Sequence, residues 1–451
     1  MRVTSALSAF VAGLRPGDVP EPVREQVRRA FLDTLGVALA GAREPCARIT
    51  AELARKLGAA PEATLFGHPV RTAATEAALV NGTAAHALDY DDVSEAMMGH
   101  PSAPLVPAVM ALAEQTGASG EDAVVAYAAG FEVQARVGRM LGPDHYARGW
   151  HPTSTLGTLG AAAAASRILG SSEGQTAMAL GVACSLAAGC RQQFGTMTKP
   201  LHAGIAARNG IMAALLAADG LTADATAIEG PLGFGHLYGG EGIHEERGLR
   251  GLGDAWLLLD PGIGVKKYPC CYATHCALDA ALELRSLYGE RVTAARAIQV
   301  VVPTGALAPL IHDRPSTGLE GKFSMPYCVA AALTDGHVRL ATFSDEAVRR
   351  PAVRKFLERV EVREAPRREG SRTAFSADVL IDLGDVRVEA SVDTPRGDPR
   401  TPLSWQELVE KFRDCAAGLP PAQTERALTQ IERLDRLERV ADLAAALGSG
   451  S

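Results

Sequence analysis

Apolar residues in the first half of the chain recur at the spacing of amphipathic helices. Within 23–41, Val23, Val27, Phe31 and Leu35 repeat near the 3.6-residue period, after a Pro20-Glu21-Pro22 start that suits a helix N-terminus. Similar segments follow, separated by short Gly, Pro and Ser stretches: 45–57, 71–88, 104–115, 120–141, 155–169, 173–190, 201–218 and 223–228. Because Ala and Gly dominate their apolar faces, these segments predict closely packed helices and no sheet.

The pattern changes after Gly262. The segment 297–303 is rich in β-branched residues, and 376–382 and 386–392 alternate apolar and polar positions around a short turn at Leu383, Gly384 and Asp385, which predicts a β-hairpin. Helical patterns lie between these strands, at 276–288, 327–333 and 345–359. A second, mixed α/β unit is therefore expected.

The C-terminal segments 404–417 and 421–447 are helical again, and we expect them to return to the first domain. The sequence thus predicts a mainly α protein with a large all-helical domain (1–264 and 401–447), a smaller α/β domain (265–400) and a tail (448–451). No repeat of fixed period is present.

Charge and composition exclude several classes of partner. The 451 residues include 45 Lys and Arg against 52 Asp and Glu, so the net charge is −7 and no basic excess is available for a phosphate backbone. The start of the chain lacks the apolar core of an export signal. The least charged stretches, 152–166 and 174–190, are shorter than the ~20 residues that a bilayer span needs. Eight scattered cysteines suit a reducing compartment, so we expect a cytoplasmic protein without nucleic-acid or membrane partners.

The densest polar cluster is His86-Ala-Leu-Asp89-Tyr90-Asp91-Asp92, followed by Gly99-His100. Three carboxylates this close repel one another unless a cation, a metal or hydrogen-bond donors compensate. A solvated helix end is one alternative. Another is the DDxxE pattern of Asp91, Asp92 and Glu95, with which helical prenyl-converting enzymes hold Mg²⁺, although no second ligand motif follows.

Two further segments place a basic side chain at the start of a helix. His151, in RGWHPTS, has its cationic form disfavoured by the helix dipole and is predisposed to act as a neutral base or donor, unless it is only a capping or core histidine. Lys199, in TKPLHAG, can meet an anionic substrate, or is a solvated loop lysine. Both are candidate site residues.

The second domain adds two candidates. Lys266, in VKKYPCC, lies at the domain junction, where small-molecule sites collect. Tyr327, in KFSMPY, begins an apolar helix and is either a core residue with a satisfied hydroxyl or a donor to an anion. The nearby cysteines lack the C-x₂-C spacing of a metal site, and neither G-x-S-x-G nor H-E-x-x-H occurs, which favours a mechanism without cofactor or metal.

In this order and spacing, the segments HALDYDD with GHPS, GWHPTS, TKPLHAG, KKYPCC and FSMPY resemble the MmgE/PrpD family over nearly the whole chain. The resemblance implies a large helical domain completed by C-terminal helices, an α/β lid domain and a cleft between them. It also implies a metal-free homodimer that acts on di- or tricarboxylates, as do 2-methylcitrate dehydratases, cis-aconitate decarboxylases and an iminodisuccinate epimerase. The positions that match the family's active-site motifs are Asp89, His100, His151, Lys199, Lys266 and Tyr327.

Within the family, TKPLHAG is more similar to the decarboxylase and epimerase branches than to the dehydratases. Val93 replaces a threonine that decarboxylases carry four residues after the first motif aspartate, and the loop to His100 is one residue longer. Decarboxylation and epimerisation therefore both stay open, with dehydration as the alternative.

The chemistry common to these branches is proton transfer at a carbon next to a carboxylate. It builds enediolate charge, which Lys199 and Lys266 can stabilise without a metal. His151 and His100 are the candidate general acid and base groups, and Asp89 is an orienting partner. A carboxylate-binding protein without catalysis, descended from the same scaffold, is a further hypothesis.

Overall fold

The structure is a computed structural model that describes residues 2–240, 243–367 and 375–448. Its contacts divide the chain into two compact units, Met1–Gly264 with Ser404–Ser451, and Val265–Leu403. The predicted fold class is confirmed, since the chain is mainly helical with a small α/β part.

The helices of the described residues, in chain order, are α1 Val3–Gly13, α2 Glu21–Gly41, α3 Pro45–Leu57, α4 Ala74–Ala87, α5 Ser102–Thr116, α6 Gly120–Leu141, α7 Pro143–Ala147, α8 Pro152–Ile168, α9 Glu173–Leu186, α10 Thr198–Ala218, α11 Phe234–Gly239, α12 Glu245–Leu249, α13 His275–Tyr288, α14 Gly318–Gly321, α15 Met325–Asp335, α16 Asp345–Arg349, α17 Pro351–Leu357, α18 Trp405–Cys415, α19 Pro421–Glu432 and α20 Val440–Leu447. The strands are β1 Ala63–Thr64, β2 Arg71–Thr72, β3 Ala297–Pro303, β4 Val360–Ala365, β5 Ala377–Asp382 and β6 Arg387–Val392.

Small residues allow the helices of the first unit to touch backbone to backbone. A Cβ atom added at Gly204 of α10 would lie 2.2 Å from the carbonyl oxygen of Leu79 in α4, and one at Gly82 would lie 2.9 Å from the Cα of Gly204. No larger side chain fits at such a crossing. This contact brings the C-terminal end of α4 next to the N-terminal end of α10, where the candidate site is built.

One predicted helix, 223–228, is wrong, because these residues form turns. The carboxylate of Asp224 accepts hydrogen bonds from the backbone N–H of Thr226 at 2.7 Å and from its hydroxyl at 2.6 Å. A short polar side chain that bonds its own backbone competes with helix formation. The predicted helix 345–359 is also divided, since Pro351 begins α17 after α16 has ended. The prediction of no sheet in the first unit is wrong as well, because β1 and β2 form a short antiparallel pair there and α4 begins only at Ala74.

The second unit is built on a four-stranded sheet in the order β4-β3-β5-β6. Strands β3 and β4 are parallel, whereas β3–β5 and β5–β6 are antiparallel. The predicted hairpin is confirmed, with Asp382 paired to Arg387 at its closed end. Alternate residues of β5 are buried, including Val379 and Ile381, and α13 packs against β5 and β6.

Helix α10 is long and apolar enough to pass a length-and-composition test for a membrane span, and 56% of the tested window is buried. It packs against α4 and α8. A helix buried in this way is explained as a core helix of the first unit.

Candidate active site

The loop after α4 carries the acidic cluster, and a hydrogen bond from helix α18 holds its backbone. Asp89 has a φ of 52°, in the left-handed region that aspartate tolerates better than most side chains. The next carbonyl, of Tyr90, accepts a hydrogen bond from the ammonium of Lys411 in α18 at 2.8 Å. Lys411 also pairs with the buried carboxylate of Asp33 at 2.6 Å. Helix α18 therefore holds the loop that presents Asp89.

Lys199 supplies a cation to this acidic cluster. Its ammonium donates to Oδ1 of Asp89, and both side chains are only 7% exposed. The same ammonium lies 5.0 Å from the ring centre of Phe194. Because the two charges are almost out of water, removing either one deprives the other of a close opposite charge in a buried site.

Asp91 lies between two imidazole rings. Its Oδ2 is 2.8 Å from Nδ1 of His86 and 3.2 Å from Nδ1 of His100. Burial opposes ionisation of Asp91, but the interactions with His86 and His100 outweigh it and hold its pKa well below the usual value. Burial lowers the pKa of His86 to about 4, so His86 is neutral near pH 7 and donates its Nδ1–H to the carboxylate. Asp91 thus fixes the orientation of the His86 ring.

His151 is buried beside this group. It directly precedes α8, its backbone N–H donates to the carbonyl of Gly189 at 3.1 Å, and its ring stacks on His86 with 5.6 Å between centres. Burial, and after it the neighbouring His86 and Lys199, lowers its pKa well below the usual value. His151 is therefore neutral near pH 7, and burial is the largest cause, whereas the sequence had pointed to the helix dipole.

His100 completes the cluster. Its Nε2 lies 3.9 Å from Oδ1 of Asp89, and its ring meets that of His86 edge-on at 4.6 Å. Four of the six predicted site residues therefore belong to one cluster in the first unit: Asp89, His100, His151 and Lys199.

The other two predicted residues belong to the second unit. Lys266 is buried, with 1% of its surface exposed. Tyr327, in the first turn of α15, is fully buried, and its hydroxyl donates to the carbonyl of Thr342. Burial raises the pKa of this hydroxyl. This is the geometry of a core tyrosine with a satisfied hydroxyl, one of the two interpretations given above, and the roles of Lys266 and Tyr327 at the site stay predictions.

The arrangement disfavours the magnesium alternative. The side chains of Asp91 and Asp92 are buried, whereas Glu95 is exposed. Asp92 accepts hydrogen bonds from the hydroxyl and backbone N–H of Ser102, and burial together with Asp33 raises its pKa well above the usual value. A buried carboxyl group whose pKa is raised and which already accepts two hydrogen bonds from Ser102 is a poor ligand for a diphosphate-bound Mg²⁺.

A different set of donors can hold a metal by residue type. His86, Asp89, Asp91 and His100 each offer one ligand atom within 4.8 Å of the others, and such N and O donors suit Zn²⁺. However, the ammonium of Lys199 already pairs with Asp89 and provides positive charge at this point. That the site works without a metal stays a prediction.

Two polar residues of this region, His86 and His202, were not singled out as site residues from the sequence, and Asp91 was considered only as a magnesium ligand. His202 lies three residues after Lys199 in α10, and residues at this spacing share a helix face, so the spacing was a usable signal. His86 and Asp91 belong to the polar cluster seen in the sequence, but the sequence did not indicate that they pair, because α4 ends between them and the loop geometry decides whether they meet.

Buried neutral histidines make the stability of the first unit depend on pH. Burial lowers the pKa of His145 to about 4, as it does for His86. The unfolded chain takes up a proton at each such residue near pH ~6.5, so acidification from there favours unfolding by up to about 1.4 kcal/mol per pH unit for each histidine. We expect the free energy of unfolding, measured by urea titration, to fall less steeply between pH 6.5 and about 4 in His145→Gln than in the wild type.

The variant has to be compared with the wild type, because some buried carboxyl groups stabilise the folded state as the pH falls and so oppose the effect of the histidines. Asp92 and Glu132, whose pKa values burial raises, retain protons in the folded state and offset part of the loss. The matched control is His236→Gln, on an exposed histidine. If the free energy of unfolding depends on pH equally in His145→Gln and in His236→Gln, burial of His145 does not contribute to the pH dependence and the prediction is wrong.

Comparison with known proteins gives two family matches. Residues 5–246 match the family model of the MmgE/PrpD N-terminal domain, and residues 268–437 match that of the MmgE/PrpD C-terminal domain. Together they cover more than half of the chain.

Curated relatives are similar over almost their whole length. A cis-aconitate decarboxylase of Homo sapiens is 32% identical over 461 residues, which cover 97% of this chain and 92% of the relative. The mouse protein of the same name, from Mus musculus, is 31% identical over 97% of this chain and 91% of its own. A cis-aconitate decarboxylase of Aspergillus terreus is 28% identical over 98% of this chain and 95% of the relative.

Proposed function

Because the chain belongs to the MmgE/PrpD family, we propose that it is a decarboxylase of cis-aconitate or a closely similar unsaturated tricarboxylate, and that it works without metal or organic cofactor. One observation carries the proposal: a buried ammonium, that of Lys199, is fixed by Asp89 beside the imidazoles of His100 and His151. This supplies a cation and proton-transfer groups in one place.

The reaction needs both kinds of group. The C–CO₂ bond breaks, its electron pair is held as an enediolate on a remaining carboxylate, and a carbon next to that carboxylate takes one proton. A fixed positive charge stabilises the enediolate more than it stabilises the substrate, because the negative charge at the reacting centre grows in the transition state. Lys199 is the group that we assign to this task.

Proton transfer is assigned to the histidines. The Nε2 of His151 is buried and has no hydrogen-bond partner among the described residues, so it is available to a bound substrate. His100 is the second candidate, since Asp91 and Asp89 both lie within 4.0 Å of its ring nitrogens. We assign to Asp89 the task of holding the ammonium of Lys199 in place, and to Asp91 that of orienting His86.

Lys266 and Tyr327 remain in the proposal on the strength of the motifs that contain them. Lys266 is the expected second carboxylate-binding cation, and Tyr327 the expected donor or substrate ligand. The hydrogen bond from Tyr327 to Thr342 makes its assignment the weaker of the two, because the hydroxyl proton is already engaged.

A substrate panel tests the proposal. The protein is treated with a chelator and supplied in turn with cis-aconitate, citrate, 2-methylcitrate and iminodisuccinate, and CO₂ release and products are measured. We expect CO₂ from cis-aconitate at the same rate with and without chelator, because Lys199 supplies the charge that a metal would otherwise provide.

The other outcomes separate the alternatives. Water loss from 2-methylcitrate without CO₂ would identify a dehydratase, and inversion of iminodisuccinate an epimerase. Activity lost with chelator and restored by a divalent cation would refute the metal-free mechanism. Binding of these acids without any product would support the carboxylate-binding protein.

A further inference from the structure

Two buried histidines of the first unit face each other through the same ring nitrogen. The Nδ1 atoms of His151 and His202 are 3.0 Å apart, with 5.3 Å between ring centres and 52° between ring planes. A hydrogen bond between two imidazole nitrogens holds one proton, so one ring donates and the other accepts. Two neutral rings in this contact therefore carry opposite tautomers, with the second proton on Nε2 of the acceptor.

The fold holds this pair from several sides. The backbone N–H of His151 donates to the carbonyl of Gly189, and the hydroxyl of Ser154 donates to the carbonyl of His202 at 3.3 Å. Gly189 has a φ of 117°, and a Cβ atom at this position would lie 2.8 Å from the Cβ of Ser154. The start of α8, residue 189 and α10 come so close together that only glycine fits at position 189. This close packing fixes the distance between the rings of His151 and His202.

The two rings differ in their surroundings. The Nε2 of His151 is buried and no described residue hydrogen-bonds to it, and the His151 ring interacts electrostatically with His86, His100 and Lys199. His202 keeps 6% of its surface exposed, against 2% for His151. The pair thus has one end in the candidate site and another end nearer to solvent.

We propose that His202 is a positioning residue that supplies His151 with a proton during the decarboxylation proposed above, on which this inference rests. As the His151 Nε2–H bond breaks and the C–H bond forms, the proton on Nδ1 of His202 moves to Nδ1 of His151. Nε2 of His202 takes up a proton from a hydronium ion or a buffer acid. Each ring loses one proton and gains one, so both end neutral with their tautomers reversed.

The tautomers return to their first state when product has left and water reaches the site. His151 then takes a proton at Nε2, its Nδ1 proton returns to Nδ1 of His202, and Nε2 of His202 releases its proton to solvent. Over the full cycle one proton is consumed, which is the proton now bonded to carbon.

The surroundings explain why a pair is needed. Burial lowers the pKa of both histidines, so neither holds a full positive charge near pH 7. A neutral imidazole is a very weak acid unless it receives a proton at its other nitrogen as it gives one up. His202 provides that second proton, and no imidazolium has to form beside the ammonium of Lys199.

Turnover of His202 variants tests the relay. In His202→Ala we expect kcat to fall by about 10²-fold, because the second proton is missing, while KM changes less than about threefold. Imidazole added to the assay fills the space left by the ring and should restore kcat in proportion to its concentration. His202→Asn, which keeps a hydrogen-bonding group near the position of Nδ1 but transfers no proton, should have a kcat close to that of His202→Ala.

Two results would overturn the relay. One is an unchanged kcat in His202→Ala, and the other is a folded His202→Ala whose lost activity imidazole does not restore. The matched control is His236→Ala, at an exposed histidine, which should equal the wild type. If the wild type decarboxylates no acid at all, the proposed function fails and the relay with it. An unchanged kcat in the variant of an active wild type refutes the relay alone.

A spectroscopic measurement tests the pair itself, independently of turnover. In ¹⁵N-histidine-labelled protein, two-bond ¹H–¹⁵N correlations distinguish Nδ1–H from Nε2–H tautomers, and His202→Asn and His151→Gln assign the two rings. We expect opposite tautomers in the wild type. The Nε2–H tautomer in both rings would show that no proton is shared, and would overturn the inference.

Discussion

Lys199→Met is expected to lower kcat/KM for the decarboxylated acid by about 10³-fold, because the variant keeps the length of the side chain and removes the charge that stabilises the enediolate. Loss of one preorganised charge or donor at a developing anion costs about 10²- to 10³-fold in other enzymes. We place Lys199 at the upper end because its side chain is only 7% exposed and little water can replace it. Steady-state CO₂ release measures the effect.

Loss of folding has to be separated from loss of catalysis. Removing one partner of a buried ion pair costs about 3–5 kcal/mol of stability, and Lys199→Met removes the ammonium that pairs with the carboxylate of Asp89. The double variant Lys199→Met/Asp89→Asn removes both charges, and Asn tolerates the left-handed backbone of residue 89. We expect the double variant to regain much of the stability and none of the activity.

The matched control for this series is Lys56→Met, whose ammonium is exposed and lies within 3.5 Å of Glu52 on the surface of α3. It should leave both stability and turnover close to the wild type. A Lys199→Met protein that is folded and turns over within a few-fold of the wild type would contradict the assignment.

His151→Gln is expected to lower kcat by about 10²- to 10⁴-fold, the range for removal of a general acid or base. Gln keeps hydrogen-bonding capacity towards His202 but transfers no proton at neutral pH. Since substrate binding is assigned to the lysines, KM should change little, and the loss should appear in kcat. Single-turnover measurements with excess enzyme would show whether the chemical step is the one that slows.

His236→Gln is the control for this variant, on an exposed histidine of the same unit. Stability should be compared by urea titration, because His151 is buried. If folded His151→Gln keeps the kcat of the wild type, another residue transfers the proton, and His100 is the first residue to examine.

Local sequence patterns predicted the parts of the fold that depend on local preferences. The β-branched run 297–303, the hairpin and the Ala- and Gly-rich helices are present, because periodicity, turn residues and side-chain size act within a few residues. The prediction of a helix at 223–228 is wrong for a local reason as well. The carboxylate of Asp224 accepts a hydrogen bond from the backbone N–H of Thr226, and this bond competes with helix formation.

The composition of the acidic cluster predicted that its negative charge has to be compensated, but it did not indicate which group compensates it. Lys199 is 110 residues from Asp89, and the two meet only because Gly82 and Gly204 let α4 and α10 cross at backbone contact. Lys411 reaches the carbonyl of Tyr90 from 321 residues away. Such pairings depend on tertiary packing, which no local pattern specifies.

The sequence also did not predict the contact between the rings of His151 and His202. His202 stood three residues from Lys199 in the quoted motif, but its contact with His151 depends on the loop that places Gly189 between them. Likewise, the neutral state of His151 follows chiefly from burial, which is a property of the folded unit.

The most direct test of the central claim is NMR of the reaction in D₂O, with chelator-treated protein and cis-aconitate as substrate. The account predicts a product that has lost CO₂ and carries one deuterium at a carbon next to a carboxylate, because protonation of the enediolate comes from groups in exchange with solvent. It also predicts that Lys199→Met yields neither product nor deuterium on the time scale of the wild type. A product formed without solvent deuterium, or wild-type turnover that stops with chelator and returns with a divalent cation, would contradict it.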